Sequence, residues 1–188
     1  RVALKSTCIV GAGITGVTVA NNLSRAGVEV SLVEQNPYPG GQAIFYGCKA
    51  FESCVHCGVC LVRDAVATYK TNPSTLSFFS SLPTALRSRA DGGFDLTIET
   101  SPNIIDWRLC TECGRCAEVC PEGAVQRVPG WKYFVDEHCS YCGECVQACT
   151  AGAICLQRES RQSLISAQSI VVASTATKWY GHEGDILR

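Results

Sequence analysis

Eight cysteines form an internal repeat. They lie as Cys110-x-x-Cys113-x-x-Cys116-x-x-x-Cys120 and Cys139-x-x-Cys142-x-x-Cys145-x-x-x-Cys149, and every member of the second run follows its counterpart by 29 residues. Thiolates at this spacing wrap three sulfurs around one 4Fe–4S cubane, while the fourth ligand crosses from the other run. The first site is therefore expected to use Cys110, Cys113, Cys116 and Cys149, and the second Cys139, Cys142, Cys145 and Cys120. Such a pair moves single electrons. The crossing also makes metal binding part of the folding energy of a segment too short for a large core. Gly114 and Gly143 fall inside the runs, where a side chain is expected to find little room, and Pro121 follows Cys120. Zinc prefers paired C-x-x-C units, and a disulfide framework does not call for two matching three-residue runs. Iron–sulfur fits the repeat best.

A third group, Cys54-Val-His-Cys57-Gly-Val-Cys60, repeats the C-x-x-C-x-x-C spacing, with Cys48 six residues upstream. Four thiolates within 13 residues could hold a third 4Fe–4S cluster. The alternatives are free thiols or a ligand set completed by another residue. His56 is expected to be a surface or packing residue. Cys8 and Cys155 lie in apolar, strand-like settings and read as small core residues. Trp107, Trp131 and Tyr141 flank the cluster runs and read as packing that excludes solvent.

A second kind of chemistry is written near the N-terminus. Gly11-Ala12-Gly13-Ile14-Thr15-Gly16 follows a short apolar run and opens a helical pattern. In this fingerprint the first glycine makes a tight turn, the second admits a pyrophosphate, and the third lets helix pack on strand. The helix N-terminus then offers unpaired N–H groups to phosphate. Glu34, 18 residues after Gly16, ends the next strand where a ribose would be bound. The candidate cofactor residues are Gly11, Ala12, Gly13, Thr15, Gly16, Glu34, Gln35, Gly41 and Gln42. FAD, NAD and a vestigial empty site are all compatible with the fingerprint. The loop Asn36–Gly41 resembles that of two-dinucleotide flavoproteins and favours FAD, as does a neighbouring electron relay. No acid–base or nucleophilic constellation stands out, so no catalytic residue is assigned.

The elements that must position these groups can be read from the same sequence. Thr7–Val10 and Val28–Val33 read as buried strands, with a helix between them carrying Val17, Ala20, Leu23 and Ala26 and stopped at Gly27. Ala65–Lys70 reads as helix, and Leu76–Phe79 and Phe94–Thr100 as strands, with Asp91-Gly92-Gly93 as a turn. Ser169–Ala173 reads as a return strand. The fold class is α/β: a Rossmann-like FAD-binding domain (ββα-ββ, partial) interrupted by a bacterial 2[4Fe-4S] ferredoxin-like α+β insert. The expected division is 1–46 for the first part of the nucleotide domain, 47–62 for a cysteine-rich Fe–S loop, 63–104 for its continuation, 105–157 for the insert and 158–188 for a truncated return strand. The ends of the insert should lie close together.

The 188 residues carry a net charge of −1 and are 46% hydrophobic, which fits a globular core and gives no nucleic-acid surface. No apolar run approaches the roughly 18 residues of a membrane span, and no signal-peptide pattern opens the chain. Thiolate ligands need reducing conditions, so a cytoplasmic, anaerobic setting is expected. A chain that starts at Arg1 and contains no Met is expected to be processed or truncated.

The order GAGITG, VEQNPYPGGQ, cysteine segment, strand pair, CTECGRCAEVCP, CSYCGECVQACTAGAI and return strand resembles the A subunit family of heterodisulfide reductases. The resemblance runs over nearly the whole chain. It implies an iron–sulfur flavoprotein that binds FAD and several 4Fe–4S clusters, with Gly11, Gly13, Gly16 and Glu34 on FAD and Gly41 and Gln42 lining the flavin side. It also implies partners: hydrogenase, formate dehydrogenase or heterodisulfide reductase-like redox proteins and ferredoxin, in a hetero-oligomer, with electron bifurcation in some members. Family members are longer, and the glycine expected after the return strand is missing near Ser174-Thr175-Ala176. The expected function is an oxidoreductase subunit relaying electrons between FAD and clusters. The alternative is a flavin-free, ferredoxin-like wiring or docking module with a vestigial nucleotide fold.

Overall fold

The computed structural model describes residues 4–48, 52–54, 59–72, 74–157 and 159–174. Strand β1 (Ser6–Val10) leads into helix α1 (Ile14–Arg25) and returns as β2 (Glu29–Val33). Alternate side chains of β1 serve two cores. Ile9 faces α1 together with Val17, Ala20, Val30 and Leu32. Cys8 faces the other way, with Val33, Leu96, Ile98 and Ile165. Burial pushes the Cys8 thiol up to about 11, so it packs there as a neutral, small apolar group.

A parallel sheet of order β3-β2-β1-β9 forms from these strands, β3 (Thr75–Phe78) and β9 (Ser169–Val172). Its strand–glycine loop–helix–strand opening is that of a Rossmann-like nucleotide fold. Helix α2 (Val59–Lys70) packs beside α1 through Val62, Val66 and Tyr69, and is longer than the Ala65–Lys70 expected. The two strands expected to form a pair do not pair with each other. β3 joins the parallel sheet, while β5 (Phe94–Thr100) lies between β4 (Ser81–Ser88) and β8 (Arg161–Ala167) in a separate antiparallel sheet. β4 escaped the sequence reading because seven of its eight residues are exposed, leaving no apolar alternation to detect.

Between β5 and β8 the chain makes its cysteine-rich excursion. The ends of that excursion are tied together: Ile105 bridges Ile154, Asp106 donates its N–H to Ala153 (2.8 Å), and Cys155 donates to Ile104 (2.9 Å). Its own core is small, with Ile105, Cys116, Val125, Cys145 and Ile154 buried together. A hairpin of β6 (Val125–Arg127) and β7 (Tyr133–Val135) projects from it. The tip of that hairpin, Val128 and Trp131, enters the α1–α2 core of the nucleotide fold. Trp131 is 1% exposed and stacks in a cluster with Trp107, Phe79 and Tyr69 at centroid distances of 5.1, 5.5 and 6.3 Å. Trp107 and Trp131 thus pack as expected. Tyr141 does not: it is 63% exposed. Cys155 is half-buried and not a core residue; its thiol reaches the Gln157 carbonyl. Among the described residues no helix is long and apolar enough to cross a membrane.

Candidate cluster sites and nucleotide loop

The repeat in sequence is a repeat in backbone. Helix α3 (Arg115–Glu118) and helix α4 (Glu144–Ala148) each start after a left-handed glycine, Gly114 at φ 84° and Gly143 at φ 88°. The residue two before each glycine is also left-handed, Glu112 at φ 62° and Tyr141 at φ 56°. These paired inversions curl each C-x-x-C-x-x-C run around a centre. The glycines answer to backbone conformation more than to space. A Cβ on Gly114 would meet the Tyr133 hydroxyl at 3.1 Å, but one on Gly143 would meet nothing within 4 Å, contrary to the expectation of crowding at both.

Cys110, Cys113, Cys116 and Cys149 line one cavity, closed by Ile105, Tyr133, Ala153 and Ile154. Cys149 comes from the second run, so this cavity is lined by cysteines of both runs. The Ala153 N–H donates to Cys149 Sγ at 3.3 Å. Burial pushes the Cys116 thiol up to about 11, and neighbouring Cys110 and Cys113 push the same way. At the second site burial also raises the Cys145 thiol, followed by Cys139 and Cys142, with Cys120 contributing from the first run. The Tyr141 N–H donates to Cys139 Sγ at 3.4 Å.

This donor set fits an iron–sulfur cluster. Crowded thiols that resist ionisation are held as thiolates by a bound metal centre. Four sulfurs arranged around a cavity suit a cluster of several atoms better than one tetrahedral zinc. Of the third group, Cys48, Cys54 and Cys60 are exposed, with Cys60 in the first turn of α2. Cys57 and His56 lie outside the described residues.

The glycine loop is built by crowding on two sides and openness on the third. A Cβ on Gly16 would fall 1.8 Å from the Gly11 carbonyl oxygen, and one on Gly11 would fall 2.7 Å from Ser174 N. Gly13 has nothing within 4 Å of its Cβ position. The open glycine is the one at which a pyrophosphate approaches the backbone, and it caps a helix with no acidic residue in its first turn. Glu34 is buried; its Oε2 accepts the Ala12 N–H at 2.6 Å, and its Oε1 accepts both the N–H and the side-chain amide of Asn36 at 2.9 Å. Gly40 donates to the Ala12 carbonyl at 2.6 Å, and Gly41 comes within 3.4 Å of Gly13 Cα at its Cβ position. The structure therefore brings together Gly11, Ala12, Gly13, Gly16, Glu34 and Gly41, while Thr15, Gln35 and Gln42 stand exposed.

Sequence reasoning missed Asn36, Gly40 and Tyr38 here. Burial raises the Tyr38 hydroxyl, and the Glu34 charge raises it further. The available signal was an amide side chain two residues after the strand-ending acid. The role of Ala173–Ser174 over Gly11 had no local signal at all.

Residues 106–154 match the 4Fe-4S dicluster domain family, and residues 9–63 match the NAD(P)-binding Rossmann-like domain family. The chain is 32% identical over 121 residues to a protein of Archaeoglobus profundus that is itself like the A subunit of heterodisulfide reductase, covering 64% of this chain and 16% of that protein. It is 35% identical over 119 residues to the A subunit of the ferredoxin:CoB-CoM heterodisulfide reductase of Methanosarcina acetivorans, covering 60% and 14%. Likeness to solved structures is slight: L-proline dehydrogenase from P. horikoshii aligns at a TM-score of 0.40 and 18% identity over 54% of this chain and 21% of that one. The chain spans about a sixth of the length of the curated relatives it matches. In motif order, fold and sequence, the chain is similar over about 60% of its length to A subunits of heterodisulfide reductases, and it combines a Rossmann-type nucleotide unit with a 4Fe–4S dicluster domain set into it.

Proposed function

We propose that the chain is an electron-transfer component of an anaerobic redox complex, relaying electrons between FAD and 4Fe–4S clusters. The observation that carries this reading is the shared core. Trp131 and Val128 of the dicluster hairpin are buried with Val17 and Ala20 of the helix that follows the glycine loop. A relay needs its two centres at a constant separation, and one packed core provides that.

Site one would be held by Cys110, Cys113, Cys116 and Cys149, and site two by Cys120, Cys139, Cys142 and Cys145. Gly13, the N-terminus of α1 and Glu34 would hold the dinucleotide, with Ala12, Gly11, Thr15, Gly16, Gln35, Gly41 and Gln42 around it. The bound clusters would supply one-electron steps, and the flavin exchange of one or two electrons. The chain's own residues orient and shield these groups: Tyr133 and Ile154 wall site one, and backbone N–H groups at Ala153 and Tyr141 stabilise ligand sulfurs. Cys48, Cys54, Cys57 and Cys60 would hold a third cluster, in segment 47–62 between nucleotide-domain segments 1–46 and 63–104; its last residues, Val59–Val62, belong to helix α2 and not to a loop. Segment 105–157 would be the insert and 158–188 the return.

The names of relatives support partners that are themselves redox proteins, in a hetero-oligomer, and the reducing conditions that thiolate ligands need favour a cytoplasmic setting. One relative belongs to a ferredoxin:CoB-CoM heterodisulfide reductase, and another to an H(2)/formate:CoB-CoM heterodisulfide, ferredoxin reductase. The flavin-free alternative draws on one observation: both carboxylate oxygens of Glu34 already accept protein hydrogen bonds. Iron, sulfide and flavin content after anaerobic purification decides between them. About twelve irons and one FAD are expected. About eight irons would remove the third cluster, and full iron without flavin would leave the wiring module.

A further inference from the structure

The two cluster sites share a backbone and differ in charge. At positions 29 residues apart, Arg108 stands where the second run has Glu137, and Arg115 where it has Glu144. Glu112 in the first loop is neutralised by an ion pair with Lys70 at the end of α2. Arg108 is likewise paired with Asp106. Lys132, half-buried, donates its ammonium to the carbonyl of the ligand residue Cys110. Among the described residues no lysine or arginine makes a hydrogen bond or ion pair with the Cys139–Cys149 run. Glu118 and Glu122 flank Cys120, the ligand that crosses to site two, and both are exposed.

We propose that Lys132 makes the site of Cys110, Cys113, Cys116 and Cys149 the higher-potential member of the pair. Net charge around a cluster is one of the levers that sets its reduction potential. A cation close to the ligands stabilises the reduced, more negative state, and the effect grows where solvent is displaced. Lys132 is half-buried and outweighs the exposed Arg115 and Glu144, whose fields are screened. Electrons arriving at the pair then settle on site one, whose loop is held by Lys70 of the nucleotide fold. This rests on the reading of both cysteine sets as cluster sites.

The test is an anaerobic redox titration of the full chain, followed by electron paramagnetic resonance. Site one's signal is identified by its alteration in Cys113→Ser. Lys132→Gln keeps a donor for the Cys110 carbonyl but removes the charge; the site-one midpoint is expected to fall toward that of site two, which stays put. Lys132→Arg is expected to preserve the gap. Arg115→Gln, which does not touch the Cys110 carbonyl, should lower the same midpoint by less, and keeps the direction testable if Lys132→Gln fails to fold. A site-one midpoint already below that of site two, or one unmoved by loss of either cation, overturns the proposal. Iron and sulfide are measured in parallel. Missing clusters in the unaltered chain would overturn the cluster reading itself, whereas intact clusters with unmoved midpoints would overturn only the role of Lys132.

Discussion

Cys110–Cys149 and Cys48–Cys60 carry the same C-x-x-C-x-x-C spacing, yet the chain supports them differently. In the insert, Cys116 and Cys145 are buried in a common core, left-handed residues curl both runs, and a hairpin anchors the segment in the nucleotide fold. In the upstream group Cys48, Cys54 and Cys60 are exposed. The spacing is thus equal in the two regions, and what differs among the described cysteines is burial: Cys116 and Cys145 lie in a core, while Cys48, Cys54 and Cys60 are exposed. A crossed ligand set ties together residues far apart in sequence, so it must be matched by tertiary packing. A local set within one loop need not be.

The largest effect that would sharpen this contrast is expected from Cys145→Ser. It removes a buried thiol, a proposed ligand, that neighbours Cys139, Cys142 and Cys120. Loss of about four irons and of protease resistance across the whole insert is expected. Iron loss with the insert still protected would mean that packing alone holds it. Next comes Trp131→Ala. Truncating a fully buried tryptophan costs about 3–5 kcal/mol, here at the joint between insert and nucleotide fold, so both should lose stability together in denaturant. Separate transitions, with only the insert weakened, would break the picture of one shared core.

A smaller pair of effects tests crowded against open positions in the glycine loop. Gly16→Ala forces a Cβ into the Gly11 carbonyl and should destabilise by about 1–3 kcal/mol, as overpacking does. Gly13→Ala meets no protein atom, so it should melt normally while losing flavin. Normal flavin content in Gly13→Ala would remove that position from the binding site. The smallest stability change is expected from Cys60→Ser, within about 0.5 kcal/mol because the site is exposed. Its iron content should nonetheless fall by about four if the upstream group holds a cluster. A stability loss as large as that of Cys145→Ser would erase the distinction between the two regions.

Much of this architecture was legible in local spacing. The crossed cysteine assignment followed from a 29-residue repeat, and the structure places Cys149 on the same cavity as Cys110, Cys113 and Cys116. The β1–α1–β2 unit was legible because each element carries its own period and its own stop signal. Strands β4 and β8 were not, since their faces are mostly exposed and the antiparallel sheet they complete is defined by pairing across the insert. Tyr141 adjoins a cysteine of the second run and is 63% exposed, whereas Trp131, in the stretch between the two runs, is 1% exposed.

By itself, then, the sequence determined the chemistry: which residue types recur, at what interval, and hence which donors can surround a cluster or a pyrophosphate. Those are properties of a few bonds along the chain. Tertiary structure alone decided that Trp131 closes the nucleotide core, that Ala173 and Ser174 leave no room at Gly11, and that Lys132 meets the carbonyl of Cys110. Each of these contacts joins segments that approach only after the sheets and the hairpin have packed, and no local period encodes such a meeting.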